Sequence, residues 1–351
     1  MKRIGIIFGG ANNEHEVSCN SARSVASHLD PERFEPILIG IDRAGGWHRL
    51  ESVDALARAS EGTRLPDLDG VDVAFPALHG RFGEDGTVQG LLELARIAYV
   101  GCGVLSSALA MDKVLAQRLL ELAGIPTIPT RMLNSSTAAG AADLARELGY
   151  PVFVKPNRSG SSVGASRANS GEAIEAAVAL ALEHDDDALV QQMIVGDEIA
   201  IGVLQDIDGS LLVAAPLRVL TEGPTAFFDY TAKYTAGGGA TLEVPARIPE
   251  ESASRLVEFA KLAFTTLNCE GLARVDFFLG ADGTINLNEV NTLPGLTALS
   301  QYPRMWQAVG VSYTELLSRL IDRAVVAFSG ERTVVAISAS APGVAAPEAS
   351  T

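Results

Sequence analysis

Lysine is what this chain most lacks: of 27 basic residues in 351, only Lys2, Lys113, Lys155, Lys233 and Lys261 are lysines. Arginine carries the remaining positive charge, a bias expected of a GC-rich genome. A lysine kept against that bias is a stronger functional candidate than usual, and three of the five fall inside motifs. Positive charge is short altogether. The formal net charge of −16 argues against a nucleic-acid groove, which needs a basic face, and otherwise reads as solubility. Cysteine is scarce too. Cys19, Cys102 and Cys269 show no CxxC spacing, which leaves no disulfide framework or zinc knuckle and fits a reducing compartment. Long apolar runs are missing. The opening MKRIGIIFGGANNEHE turns to glycine and acids too early for a signal peptide or a membrane span. A cytoplasmic protein without membrane or nucleic-acid partners is expected.

What is present reads as an ordinary globular chain, 47% hydrophobic and 20% charged, long enough for two or three domains. RIGIIFGG (3–10) is a continuous apolar run ending in paired glycines, as for a buried parallel strand entering a loop. A helix over about 17–29 and strands over 34–41 and 71–78 continue an α/β unit. A helix over 87–97, the short strand AYVG, and a helix over 111–123 come next. A strand (150–156), a helix (170–183) and a strand (188–194) lead into a strand-rich region containing EIAIGVL and LLVAAPL. Helices over 249–267 and 312–328 bracket two more strands. This order predicts a mixed α/β and α+β chain. Its units would be an N-terminal parallel α/β domain (1–103), a central α+β domain (104–190), a C-terminal α+β domain (191–325) and a disordered tail (326–351).

The most informative chemistry lies in LARVDFFLGADGTINLNEVN (272–291). Two β-rich segments flank Asp282-Gly283, a dipeptide that favours a two-residue hairpin turn. With that turn Asp276 faces Glu289 and Arg274 faces Asn291, all on one side of the pair. Two opposed carboxylates repel. Either a divalent cation joins Asp276, Glu289 and the Asn291 amide oxygen, a set suited to magnesium or manganese, or the acids belong to a solvated hairpin edge.

Other segments carry weaker signals. RSGSSVG (158–164), after the strand that ends in Lys155, is either an anion-binding nest or a plain Ser/Gly turn. FFDYTAKYTAGGG (227–239) is either a closing flap that brings Lys233 to a phosphate or an exposed loop. GGANNEHEVS (9–18) places Glu14, His15, Glu16 and Ser18 at a strand-to-helix junction, where α/β sheets bind ligands; Ser18 is better read as a helix cap. His79, in HGRFGEDGTVQG (79–90), is a catalytic base or, by the better reading, a structural group.

Together these segments resemble the D-alanyl-D-alanine ligases of the ATP-grasp superfamily. The likeness rests on FGGANNEHEVS, HGRFGEDGTVQG, MDK (111–113), VKPNRSGSSVG, FFDYTAKY, ARVDFF and NEVNTLPGLT, in that order. The resemblance implies ATP held between two α+β domains and ligation of two D-alanines through an acyl phosphate, for peptidoglycan precursors. It also implies a homodimer. Glu14 would hold the first ammonium, grouped with Ser161 and Tyr234. Lys113 and Lys155 would contact the α- and β-phosphates and Lys233 the γ-phosphate. Ser162, Gln191, Gln192, Ile194 and Glu198 would complete the ATP site, with Glu198 on the ribose. Asp276, Glu289 and Asn291 would hold two Mg2+ ions, or Mn2+. Arg274 and the Gly295 N–H would form an oxyanion hole, Ser300 would take the second carboxylate, and His79 would buttress the site.

Two departures stand out. Gln191-Gln192 replaces an acid usual at the adenine hinge, which weakens that hydrogen bond by about 1 kcal/mol. ALSQYPRMW (298–306) and LARVDFFL are similar to the glycopeptide-resistance ligases that make D-alanyl-D-lactate or D-alanyl-D-serine, whereas the flap FFDYTAKY is of the D-alanyl-D-alanine type. A second ligase copy serving antibiotic self-resistance is the remaining alternative.

Overall fold

The computed structural model describes residues 1–221 and 240–329 of the chain. The segment 227–239, with Lys233 and Tyr234, and the tail from 330 onward lie outside the described residues. Strands β1 (Lys2–Gly9), β2 (Phe34–Ile41), β3 (Trp47–Leu50), β4 (Val73–Pro76) and β5 (Ala98–Tyr99) form an N-terminal sheet in the order β3-β2-β1-β4-β5. β1 runs parallel to both β2 and β4, as its unbroken apolar run requires. Ile4, Ile6 and Phe8 enter the core on one face, and Ile7 enters that on the other. Helices α1 (His15–His28) and α2 (Thr87–Leu94) follow β1 and β4. β3 is the antiparallel strand, too short to announce itself in the sequence.

The helix expected over 111–123 is in fact two, α3 (Val104–Met111) and α4 (Lys113–Leu122). Asp112 breaks them: its Oδ1 accepts the Leu115 N–H at 3.0 Å and caps α4. This puts Lys113 at the first position of α4, buried and facing inward.

Strands β6 (Thr130–Asn134), β7 (Val152–Pro156), β8 (Ser166–Ala168) and β9 (Asp187–Gln192) form an antiparallel sheet in the order β6-β9-β7-β8. Helices α5 (Ala141–Leu148) and α6 (Gly171–Leu182) close its core. The third sheet is antiparallel and six-stranded. It contains β10 (Asp197–Gln205), β11 (Leu211–Val213), β12 (Leu217–Thr221), β13 (Ala240–Glu243), β14 (Leu272–Leu279) and β15 (Ile285–Asn291). LLVAAPL is two strands rather than one, since Pro216 has no N–H for the ladder. Helices α7 (Glu250–Thr266), α8 (Gln301–Ala308) and α9 (Tyr313–Ser329) follow. Among the described residues no helix is long and apolar enough to cross a membrane.

Packing groups the chain differently from boundaries near 103 and 190. Ala110, Ala116 and Leu120 of α3 and α4 share a core with Ile199, Val275 and Leu287 of the six-stranded sheet. The four-stranded sheet keeps its own core, from Leu133 to Val190, and β9 carries it on to Gln192. Tyr302, Met305, Leu316 and Leu320 of the last two helices pack with Ile4, Ile6 and Phe8 of the N-terminal sheet. The C-terminal helices thus complete the first domain's core. Cys19, Cys102 and Cys269 are buried and free.

Candidate active site

Two connected cavities lie among the three sheets. The larger, about 700 Å3, is walled by Phe153, Lys155 and Gln191 of the four-stranded sheet and by Phe278, Leu279 and Asn288 of the β14–β15 hairpin. The smaller, about 160 Å3, is lined by Glu14, His79 and Glu84 from the N-terminal loops and by Arg274, Asn291, Gly295 and Ser300 from the C-terminal region. Lys113, Ser159, Gly160, Ser161, Glu198 and Glu289 line both. The two therefore form one continuous site.

The hairpin pairs Asp276 with Glu289 and Arg274 with Asn291, as the spacing predicts. The route is different. Beyond Asp276 the register shifts, so that Phe277 faces Leu287 and Leu279 faces Ile285. Asn288 is thereby an extra residue, a bulge. The turn is longer than the two residues expected: the Gly280 N–H donates to the Thr284 carbonyl at 2.8 Å and the Gly283 N–H to the Gly280 carbonyl at 2.9 Å. Longer turn and bulge cancel, and the pairing of the four site residues survives. The bulged Asn288 faces the larger cavity, where its Oδ1 accepts from Lys155 Nζ at 3.2 Å.

Each of the opposed carboxylates has a protein cation beside it. Arg274 donates from Nε to Asp276 Oδ1 at 2.8 Å and from Nη2 to Oδ2 at 2.6 Å. Asn291 Nδ2 adds a bond to Oδ2 at 2.9 Å. Asp276 is only 3% exposed and does not open onto either cavity, unlike Glu289 and Asn291. Lys113 Nζ lies 3.8 Å from Glu289 Oε2. Among the described residues no three His, Cys, Asp or Glu side chains converge as a metal cluster, so an ion here would rest on a mixed set. Asp276, Glu289 and the Asn291 amide oxygen suit a hard divalent cation. To use them, Asp276 must share its oxygens with Arg274, and Asn291 must turn its amide oxygen outward.

On the phosphate side the loop after β7 adopts an unusual backbone. Ser161 and Ser162 have φ of +49° and +59°, and Gly164 has +72°. A left-handed non-glycine residue costs roughly 1 kcal/mol, so the loop needs outside anchors. Lys113 Nζ donates to the Ser159 carbonyl at 2.7 Å, Arg158 pairs with Asp185 and Asp187, and Ser161 Oγ donates to Glu14 Oε1. The last contact joins residues 147 positions apart and closes the loop over the smaller cavity.

Every described residue expected at the nucleotide lines the larger cavity: Lys113, Lys155, Ser162, Gln191, Gln192, Ile194 and Glu198. Gln191 is buried, and its amide is oriented by Thr130. The Thr130 hydroxyl donates to the Ile128 carbonyl at 2.7 Å, so it must accept from Gln191 Nε2 at 2.9 Å. The amide nitrogen is thereby committed to Thr130.

At the N-terminal corner Ser18 is not a helix cap. It lies inside α1, where its hydroxyl accepts the Gly9 N–H at 2.8 Å and donates to the Ala77 carbonyl at 2.6 Å. It ties the ends of β1 and β4 together. His79 is fixed at both nitrogens: Nδ1 donates to the Leu293 carbonyl at 3.2 Å, leaving Nε2 to accept from the Ser21 hydroxyl at 2.9 Å. Burial lowers its pKa. The neutral ring, engaged at both nitrogens, links α1 to the segment at Leu293. Ser300 sits just before α8, its hydroxyl 2.8 Å from Thr297 Oγ1 and accepting the Thr297 N–H at 3.1 Å.

Three residues at the site went unmarked in the sequence reading. Asn12 Nδ2 bonds the carbonyls of His79 and Arg81, at 3.0 and 2.8 Å, which stitches the two N-terminal loops together. Thr130 orients Gln191. Glu84 lines the smaller cavity; its only local signal is an acid in a glycine-rich loop after a strand.

The profile described as "D-ala D-ala ligase N-terminus" matches residues 3–102, and "D-ala D-ala ligase C-terminus" matches 119–322. A D-alanine–D-alanine ligase of Nocardia farcinica is 43% identical over 360 residues, covering 94% of this chain and 99% of that protein. The structure of the VanG D-Ala:D-Ser ligase from Enterococcus faecalis superposes with a TM-score of 0.78 at 36% identity, covering 92% and 99% of the two chains. That of the Coxiella burnetii D-alanine–D-alanine ligase gives 0.81 at 29% identity, covering 93% and 95%. This chain belongs to the D-alanine–D-alanine ligase family, with its ATP-grasp architecture.

Proposed function

We propose that this chain joins two D-alanines to D-alanyl-D-alanine at the expense of ATP, for peptidoglycan precursor synthesis in the cytoplasm. The observation that carries this reading is the continuous site itself. A small acidic pocket around Glu14 and Ser161 opens, past Lys113 and Glu289, onto a cavity large enough for a nucleotide.

The charges divide the work. Glu14 takes the ammonium of the first D-alanine, and the Ser161 hydroxyl holds its carboxylate in place. Lys113 and Lys155 lie along the phosphates, while Gln191 Oε1 accepts from the adenine amino group and Glu198 meets the ribose. Asp276, Glu289 and Asn291 would hold Mg2+ or Mn2+, which would neutralise the phosphates against the surrounding acids. The first carboxylate attacks the γ-phosphorus, giving an acyl phosphate and ADP. The second amine attacks that carbonyl, and phosphate leaves. Arg274 and the Gly295 N–H stabilise the oxyanion, and Ser300 takes the second carboxylate. Lys233 and Tyr234, outside the described residues, would meet the γ-phosphate and join Glu14 with Ser161. We further propose a homodimer.

The 36% identity to a D-Ala:D-Ser ligase makes D-serine the second reading, since a pocket discriminates weakly against one added hydroxyl. Phosphate release with ATP, Mg2+ and D-alanine, then with D-serine, D-lactate or L-alanine added, tests both. Release with D-alanine alone is expected; none would overturn the assignment. Ser161→Ala should raise the D-alanine KM by about tenfold, the worth of one charge-assisted hydrogen bond, while kcat changes less. An unchanged KM would remove Ser161 from the binding site.

A further inference from the structure

Glu84 has no part in the roles given above, yet its carboxyl group faces the smaller cavity. The loop between β4 and α2 holds it reciprocally. Glu84 Oε2 accepts the Gly80 N–H at 3.1 Å, and the Glu84 N–H donates to the Gly80 carbonyl at 2.9 Å. Gly80 has φ of +69°, and a Cβ there would stand 2.0 Å from Glu14 Oε2. Glu14 and Glu84 therefore flank one glycine. The neighbouring Asp85 is occupied by the N–H groups of Phe82 and Thr87, at 2.8 and 3.0 Å.

Among the described residues the cavity holds more acidic side chains than cationic ones. Four acids, Glu14, Glu84, Glu198 and Glu289, line it among the described residues, against Lys113 and Arg274. Arg274 is engaged with Asp276 and Lys113 with Ser159 and Glu289. An α-ammonium offers three N–H donors and one positive charge. Glu14 Oε1 already accepts from Ser161, so Glu14 alone leaves that ammonium under-satisfied.

We propose that Glu84 is the second carboxylate of the ammonium site, so that the first D-alanine's ammonium lies between Glu14 and Glu84 and bonds to both. This rests on the reading above that Glu14 receives the first amino acid. Burial, then the adjoining Glu14 charge, pushes the Glu84 carboxyl up to about 8 in the free protein, against the Gly80 N–H bond and Arg274, with Glu289 adding to the rise. His79 beside it is held neutral by burial, and Lys113 faces the same cavity. At neutral pH the free Glu84 therefore carries a proton. The arriving ammonium ionises it: the carboxyl O–H bond breaks, the proton goes to solvent, and a carboxylate–ammonium pair forms. D-Alanine affinity then rises with pH up to about 8 and levels off above it, since protons compete with the ammonium below that value.

Calorimetry tests this on the intact protein, titrating D-alanine in the presence of Mg2+ and a non-hydrolysable ATP analogue, in buffers of different ionisation enthalpy. At pH 7 the wild type is expected to release close to one proton per first D-alanine bound. Glu84→Gln should release almost none, with a D-alanine KM raised about tenfold and nearly independent of pH between 6.5 and 8.5. Glu84→Asp should recover part of the release. Equal proton release and the same pH profile in wild type and Glu84→Gln would overturn the proposal, as would loss of folding stability in both variants with proton release unchanged. A wild type that binds no D-alanine would instead sink the functional reading on which the inference rests.

Discussion

Arg274→Ala is expected to lower turnover by about 10^3-fold, the upper range for loss of one oxyanion donor. The same substitution should cost about 3 kcal/mol of folding stability, because it strands a buried carboxylate. Asp276 is 3% exposed and, among the described residues, receives two of its three side-chain bonds from Arg274 and the third from Asn291. Arg274→Lys separates the effects. A lysine keeps the charge but not the two-pronged geometry, so stability should recover most of the loss while turnover stays about tenfold or more below wild type. Phosphate-release kinetics and urea unfolding, measured on the same preparations, check both arms. Near-normal turnover in Arg274→Ala would mean that the hairpin does not carry the chemistry.

Gly80→Ala should damage D-alanine binding far more than its size suggests. The added Cβ would stand 2.0 Å from Glu14 Oε2, and the residue's φ of +69° is already unfavourable for any side chain. The backbone strain alone is worth roughly 1 kcal/mol. Displacing the Glu14 carboxylate adds a rise in D-alanine KM of about 10^2-fold, the scale of misplacing a positioning group by an ångström. Gly45→Ala is the control. Gly45 has φ of +88° with nothing within 4 Å of a new Cβ, so it carries the strain without the collision. It should lower the melting temperature slightly and leave D-alanine kinetics unchanged. If the two variants have the same KM, Gly80 does not seat Glu14.

How much of this was legible in the chain depends on the range of the interaction. β1 and β2 could be read from their apolar runs, and α7 and α9 nearly to the residue, since their patterns repeat within a few positions. The β14–β15 hairpin was legible for the same reason, although its pairing was reached through a turn too short by as much as the bulge at Asn288 restores. The break at Asp112 had a visible signal too, an acid before a helical run, that a longer periodic pattern concealed.

Ser18 was misread because a hydroxyl near a helix start is usually a cap, whereas here it joins Gly9 to Ala77 across the sheet. Nothing local in GRFGEDG distinguishes Glu84 from Asp85. Nor could periodicity reveal that α9, some three hundred residues from β1, closes the first sheet's core.

The residues available for chemistry, and the pairing of those on one hairpin, were determined by the sequence itself, because neighbours in the chain stay neighbours in space. Which acid meets which cation was decided only by the tertiary structure. Burial and electric field are sums over every group that folding brings close. Glu14 acquires its hydroxyl from Ser161, and Glu84 its raised pKa, from partners that the linear order keeps far apart or does not single out.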